Sequence, residues 1–234
     1  VYEKKYGNQE PEGGELIRFS WNRYWKLMTG YWFVSVLALL CQPLGRTVVD
    51  AYGGIGGKAP VFYFLIDVMG LSYLFSTPTL NPTWWYMTLA IFVVFVTPFL
   101  VRLMKKYGAA AVTVVVMGTI YLTGVTNAST FYAFSLLLGI SCQKIRFFEK
   151  LEKTAEKSRG RRIVLFITEM ILFFVLLSYR TDYNLNGIVD GLMALTLAAA
   201  VHTFLAKVPV LSQTMCYLGK HSANIFLYHT LLYS

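Results

Sequence analysis

Arg23-Tyr24-Trp25-Lys26 sets two cations at i and i+3, on one face of a helix that leads into an apolar run. A pair of that kind can clamp the phosphates of a nucleotide-like donor. It can equally be a pair of snorkelling anchors beside belt aromatics. His229 ends the stretch Asn224-Ile225-Phe226-Leu227-Tyr228-His229, two turns into the last apolar segment. An ionisable side chain at that depth reads as facing a bundle interior or polar cavity, in a functional role or as a packing histidine bonded to a neighbouring helix. Asp67 sits in the apolar segment 60–76, where a carboxylate is expected to line a cavity. Glu169 lies about two turns from Arg162, on the cytoplasmic half, and can pair within the bundle, whereas Asp190 reads as solvated near an outer helix end. His202 and His221 lie toward interfaces and read as structural. No two histidines have the spacing of a metal site, so none is expected. Gly53-Gly54-Ile55-Gly56-Gly57 lacks the following Lys-Ser/Thr of a phosphate loop and reads as a flexible connection.

The elements that must position these groups are apolar helices. Residues 84–106 show the pattern most fully. Trp84-Trp85-Tyr86 opens the stretch, a long apolar run follows, and Arg102, Lys105 and Lys106 close it. That is the layout of a membrane crossing, with aromatics at one interface and cations at the other. Pro98 lies inside it, and the carbonyl it frees must find a donor on a neighbouring element. Of the 234 residues, 56% are hydrophobic and only 14% charged, well below the share expected of a soluble domain. The expected class is therefore all-α: a polytopic transmembrane bundle. The formal charge of +9 falls between the apolar blocks, which fits positive-inside topology and argues against nucleic acid as a partner. Cys41, Cys142 and Cys216 are scattered and odd in number, so they read as apolar packing residues and not as a disulfide framework.

In chain order, residues 16–26 read as an amphipathic surface helix and residues 27–42 as the first span. Residues 60–76 follow a Gly-rich loop, and Asn81-Pro82 makes a turn before the span at 84–106. Later spans are expected at 109–125, 131–145, 163–179, 187–206 and from Ala223 onward, giving about seven. Residues 149–158 read as a short charged helix outside the membrane. Eight cations between Lys144 and Arg162 mark that connection as cytoplasmic. Counting back, Arg23 and Lys26 reach the same side only if 60–76 is re-entrant or lies in the outer leaflet. Residues 1–26 are then cytoplasmic.

Three stretches together resemble the integral membrane acyltransferase family 3. Arg23-Tyr24-Trp25-Lys26-Leu27 with Tyr31-Trp32 is similar to the family's cytoplasmic Arg-x-x-Arg pair. Trp85-Tyr86-Met87 with Phe95 and Pro98-Phe99-Leu100 resembles its Trp-Tyr helix with a downstream proline. Leu218-Gly219-Lys220-His221-Ser222, followed by Ile225-Phe226-Leu227-Tyr228-His229, resembles its closing Leu-Gly-Lys-x-Ser-x-x-Ile-Tyr-Leu-x-His. This last match is the most specific. Lys26 departs from the pattern, keeping the charge and losing the bidentate fork.

The resemblance implies a single transmembrane acyltransferase-like domain over 1–234. It also implies acyl transfer from cytoplasmic acyl-CoA, with acetyl as the common donor, to a hydroxyl of a cell-surface or lipid-linked saccharide. Acyl-CoA would be a co-substrate, with no permanently bound cofactor. Arg23 and Lys26 would hold the CoA phosphates, and Trp85, Tyr86 and Asp67 would line a passage to which His229 contributes. The expected partners are the lipid bilayer, acyl-CoA and the saccharide acceptor, and the expected setting is a bacterial cytoplasmic membrane. The family's catalytic His belongs to a span upstream of Val1. Because Val1 stands where Met is expected and the chain stops inside an apolar run, the chain reads as an inactive piece of a longer protein. A transporter or flippase for a lipid-linked glycan is the alternative, since a cavity carrying Asp67 and His229 would serve it too. A polysaccharide polymerase is less apt, because Arg46 and Arg180 sit in short loops.

Overall fold

The computed structural model describes residues 13–41, 52, 60–124, 128–183, 187–204 and 207–228. All regular structure among them is helical: ten α-helices and one 3-10 turn. Contacts group the chain into two compact units, Val1–Phe99 with His221–Ser234, and Leu100–Lys220.

The first unit is built on α1 (Gly13–Cys41), a single helix of 29 residues. Ser20, Tyr24, Met28, Tyr31, Val34 and Ala38 are spaced three or four apart along it and are all buried. This corrects the expected division into a surface helix over 16–26 and a span over 27–42. The buried stripe runs straight through that boundary, so packing carries one helix across it. The second helix, α2 (Pro60–Val68), has nine residues and is about 14 Å long at 1.5 Å per residue. A hydrocarbon layer of about 30 Å is twice that, so this helix alone does not cross.

The chain then turns through residues 69–81. Asn81 Oδ1 accepts from Thr83 N at 3.0 Å and from the Thr83 hydroxyl at 2.8 Å, capping the 3-10 turn Pro82–Trp84. From it grows α3 (Trp85–Tyr107). Antiparallel packing of α3 on α1 places Trp84 beside Tyr31 and Val94 beside Ser20. Pro98 has no N–H for the Val94 carbonyl four residues back. The buried Ser20 hydroxyl donates to that carbonyl at 3.1 Å, which is the re-satisfaction the sequence requires.

The second unit contains α4 (Ala109–Thr123), α5 (Ala128–Phe131), α6 (Ala133–Lys144), α7 (Phe147–Glu156), α8 (Arg159–Tyr183) and α9 (Gly187–Thr203). The buried face of α9 is almost entirely small: Gly187, Gly191, Thr196, Ala199, Ala200 and Thr203. A Cβ on Gly187 would stand 1.7 Å from the Phe131 carbonyl oxygen, and one on Gly191 would stand 2.9 Å from Phe134 and Ser135 side-chain atoms. Backbones therefore approach closely here, as in membrane helix pairs. Lys144 ends α6 and donates to the Met104 carbonyl at 2.7 Å, bringing the C-terminal ends of α6 and α3 together. The charged helix expected at 149–158 is α7. Lys207 bonds two of its acids, Glu152 at 2.6 Å and Glu156 at 2.9 Å. This contact holds the Glu152 carboxyl below its usual range and raises the Lys207 ammonium.

The last helix, α10 (Pro209–Tyr228), starts fourteen residues before the span expected from Ala223. The cluster Lys220-His221-Ser222 suggested an interface, but the helix continues through it. Two described stretches are long and apolar enough to cross a membrane: Pro82–Tyr107 and Arg159–Arg180. A bundle of about seven spans goes beyond what these two establish.

Ser20→Ala should lower stability by about 1–2 kcal/mol, because it strands a buried carbonyl. In a Pro98→Ala background, where the new backbone N–H can reach the Val94 carbonyl, that cost should largely vanish. Thermal unfolding of the detergent-solubilised protein in a double-mutant cycle measures both.

Candidate functional site

In the first unit, α2 ends where its last carbonyls have no water to meet. Gly70, at φ +72°, forms the left-handed stop. Its N–H returns to the Asp67 carbonyl at 2.8 Å, and Leu71 N–H returns to Ile66 at 3.1 Å, the two bonds of a Schellman cap. Side chains also reach this end. Tyr31 donates to the Asp67 carbonyl (3.1 Å), Trp32 Nε1 to Val68 (2.7 Å), Tyr24 to Met69 (3.4 Å) and Thr88 to Gly70 (2.7 Å). Three of these donors come from α1 and one from α3. A Cβ on Gly70 would also lie 2.7 Å from Ile91 Cδ1, so the tip is wedged against α3.

The Asp67 side chain is the centre of this arrangement and is only 2% exposed. Its Oδ1 accepts from the hydroxyls of Thr79 (2.8 Å) and Tyr31 (3.3 Å). Its Oδ2 accepts from the Tyr52 hydroxyl and Leu80 N–H, each at 2.7 Å. Four donors fill the carboxylate, and among the described residues no cation pairs with it. Burial first, then the bond to Asp67, pushes the Tyr52 phenol well above its usual range, so Tyr52 stays a donor. Asp67 was expected to line a passage; here its oxygens are turned inward to tie α1, α2 and the 79–80 segment together.

Trp85 and Tyr86 stand at the start of α3. Both rings meet Phe226 of α10, with centroids 6.2 and 4.8 Å away. Leu227 is buried in the same core. The Trp-Tyr stretch and the closing Ile-Phe-Leu-Tyr stretch are more than 130 residues apart in the chain, and the fold makes them neighbours. His229 lies outside the described residues. Arg23 and Lys26 lie in the N-terminal half of α1, one to two turns before Tyr31. The Arg23 guanidinium rests over the Phe19 ring at 5.6 Å, and Lys26 is exposed.

The remaining candidates belong to the second unit and have local partners. Glu169, expected to pair within the bundle, accepts from Thr203 of α9 at 2.7 Å. Asp190, expected to be solvated, is paired with Arg180. His202 stacks on Phe148 at 4.8 Å. His221 is half-buried. Sequence reasoning missed Ser20, Tyr31, Tyr52, Thr79 and Thr88. Ser20, Tyr31 and Thr88 carried a signal, hydroxyls on the inward faces of apolar helices, whereas Tyr52 and Thr79 lie outside the helices and carried none.

The acyltransferase-domain profile matches residues 9–234. The chain belongs to the acyltransferase 3 family. Its three resembling stretches fall within the match, and the activity of the family is acyl transfer. No curated protein and no solved structure matches the chain. The family is membrane-associated, in keeping with the two membrane-length helices.

Asp67→Ala would leave the buried Tyr52 hydroxyl and Leu80 N–H without their acceptor, with Tyr31 and Thr79 left to backbone carbonyls, and should cost about 3 kcal/mol or more. Asp67→Asn keeps one carbonyl oxygen and should cost clearly less. Midpoints of thermal unfolding in detergent rank the two, and equal midpoints would remove Asp67 from its central position.

Proposed function

We propose that this acyltransferase 3 protein transfers an acyl group, acetyl in the first instance, from cytoplasmic acyl-CoA to a hydroxyl of a cell-surface or lipid-linked saccharide. The observation that carries the reading is the packing of Trp85-Tyr86 on Phe226, in the unit that also holds Arg23 and Lys26. These are the parts the family's motifs mark. Trp85-Tyr86 and Phe226 touch across the fold, and Arg23 and Lys26 belong to the same unit.

The chemistry asked of the site is thioester acylation. The acceptor oxygen attacks the acyl carbonyl, a C–O bond forms, the C–S bond breaks, and the hydroxyl proton ends on the CoA thiol by way of a general base. A histidine suits that role. His229 is the candidate contributor within this chain. Arg23 offers a fork that fits phosphate bidentately, and Lys26, one turn on, adds a compact point charge. Trp85 and Tyr86 would line the acceptor's approach.

Topology supports cytoplasmic donor binding. The short α2 does not cross, and α1 runs antiparallel to α3, whose C-terminal end carries Arg102, Lys105 and Lys106. The positive-inside bias favours residues 1–26 as cytoplasmic, and the reading takes a bundle of about seven spans in a bacterial cytoplasmic membrane. The transporter reading asks for a free intramembrane carboxylate, and that of Asp67 is filled.

Inverted vesicles carrying the protein in its full reading frame, supplied with labelled acetyl-CoA, test the reading. Label should pass to glycan. Arg23→Ala should raise KM for acetyl-CoA about 10- to 100-fold, the worth of a charged hydrogen bond, and Arg23→Lys should fall between. Label transfer indifferent to both Arg23→Ala and Lys26→Ala, or glycan movement without CoA, would overturn it.

A further inference from the structure

The connection from Lys144 to Arg162 has eight cations and three acids, and the fold sorts them. Phe148, Leu151 and Ala155 lie on one side of α7, which packs on α8 and α9; Phe148 stacks on His202 and Ala155 is buried. The three acids are engaged elsewhere. Glu149 pairs with Arg146, and Glu152 and Glu156 pair with Lys207. Lys150, Lys153 and Lys157, spaced three and four apart, lie on the side away from the packed one, and all are exposed. None of them is in a salt bridge among the described residues.

The stripe continues into α8. Arg159 and Arg161 are exposed in or beside its first turn, which contains no acid. The N-terminal end of a helix is its positive end, so cations there are repelled unless an anion joins them. One turn later, Ile163, Val164 and Ile167 are exposed, and none of the membrane-length window of α8 is buried. Exposed cations thus border directly on exposed apolar surface. In a bilayer that border is the level of the headgroup phosphates.

We propose that Lys150, Lys153, Lys157, Arg159 and Arg161 form a docking surface for the phosphates of anionic phospholipids in the leaflet where α8 enters. The charge sorting supplies the complementarity: had the acids of α7 faced the lysines, the stripe would be neutralised from within. The proposal rests on α8 crossing the membrane and is independent of the acyl-transfer reading.

The full-length protein, reconstituted with spin-labelled phosphatidylglycerol or phosphatidylcholine, provides the test by electron paramagnetic resonance of motionally restricted lipid. A preference of about threefold or more for phosphatidylglycerol is expected, given the attraction of several surface cations. It should fall to near unity when all five residues are changed to Gln. In Arg102→Gln it should persist. All five sites are exposed, so the five-site variant should keep the thermal midpoint of the parent. An undiminished preference in the five-site variant overturns the proposal. So does loss of the preference on adding acetyl-CoA or inorganic phosphate at micromolar concentration, which would make the stripe a site for soluble phosphates.

Discussion

A carbonyl away from water must find a donor, and the first unit of this protein is arranged around that requirement. Two features of the chain create unpaired carbonyls among apolar side chains. Pro98 removes one N–H from α3, and α2 stops after nine residues with its last carbonyls unspent. Ser20 answers the first. Tyr31, Trp32, Tyr24 and Thr88, with the Gly70 cap, answer the second. All but Thr88 and Gly70 lie on α1, so one helix holds both defects closed. The Asp67 carboxylate fixes the same tip from its other side. These directional bonds give the buried tip of a short helix one position, which apolar contact alone would leave free to slide.

The second unit is held by different means. Its central contact is a close approach of backbones over Gly187 and Gly191, continued by alanines and threonines down one face of α9. Between apolar helices in lipid the hydrophobic effect offers little, and close van der Waals packing takes its place. Apart from Glu169, the ion pairs lie at the helix ends. Lys207 bridges to α7, Arg180 pairs with Asp190, and the cations left over face away from the packed helices. The one described carboxylate well inside this unit's spans, Glu169, is bonded to a threonine.

The two units are thus built differently. The hydrogen-bonded tip of α2 lies in the same unit as the stretches that mark the family, Arg23–Lys26, Trp85-Tyr86 and Phe226. The small-residue packing and charged ends of the other unit suit a frame seated in a bilayer. A carboxylate in an apolar segment suggested a cavity at Asp67; in the fold it is the acceptor on which three separate hydroxyls and a backbone amide converge.

Much was legible before any coordinates. Apolar runs bounded by aromatics and cations showed the helical class, because the thickness of a bilayer dictates their length. Pro98 announced a carbonyl in need of a donor. Residues 60–76, too awkward for the charge count if they crossed, read as re-entrant or as lying in the outer leaflet, and α2 within them is too short to cross alone. The family was legible from three motifs, since each is a local run of residues. Other features were not. Nothing local told that Ser20 would meet Val94, that Tyr31 and Tyr52 would meet Asp67, or that Phe226 would lie on Tyr86. The division of α7 into paired acids and free lysines was equally hidden, since it depends on Lys207 some fifty residues away. Spacing along a chain determines which face of a helix a residue occupies. Which partner stands opposite that face is decided only when distant helices pack, because a hydrogen bond needs both ends within about 3 Å.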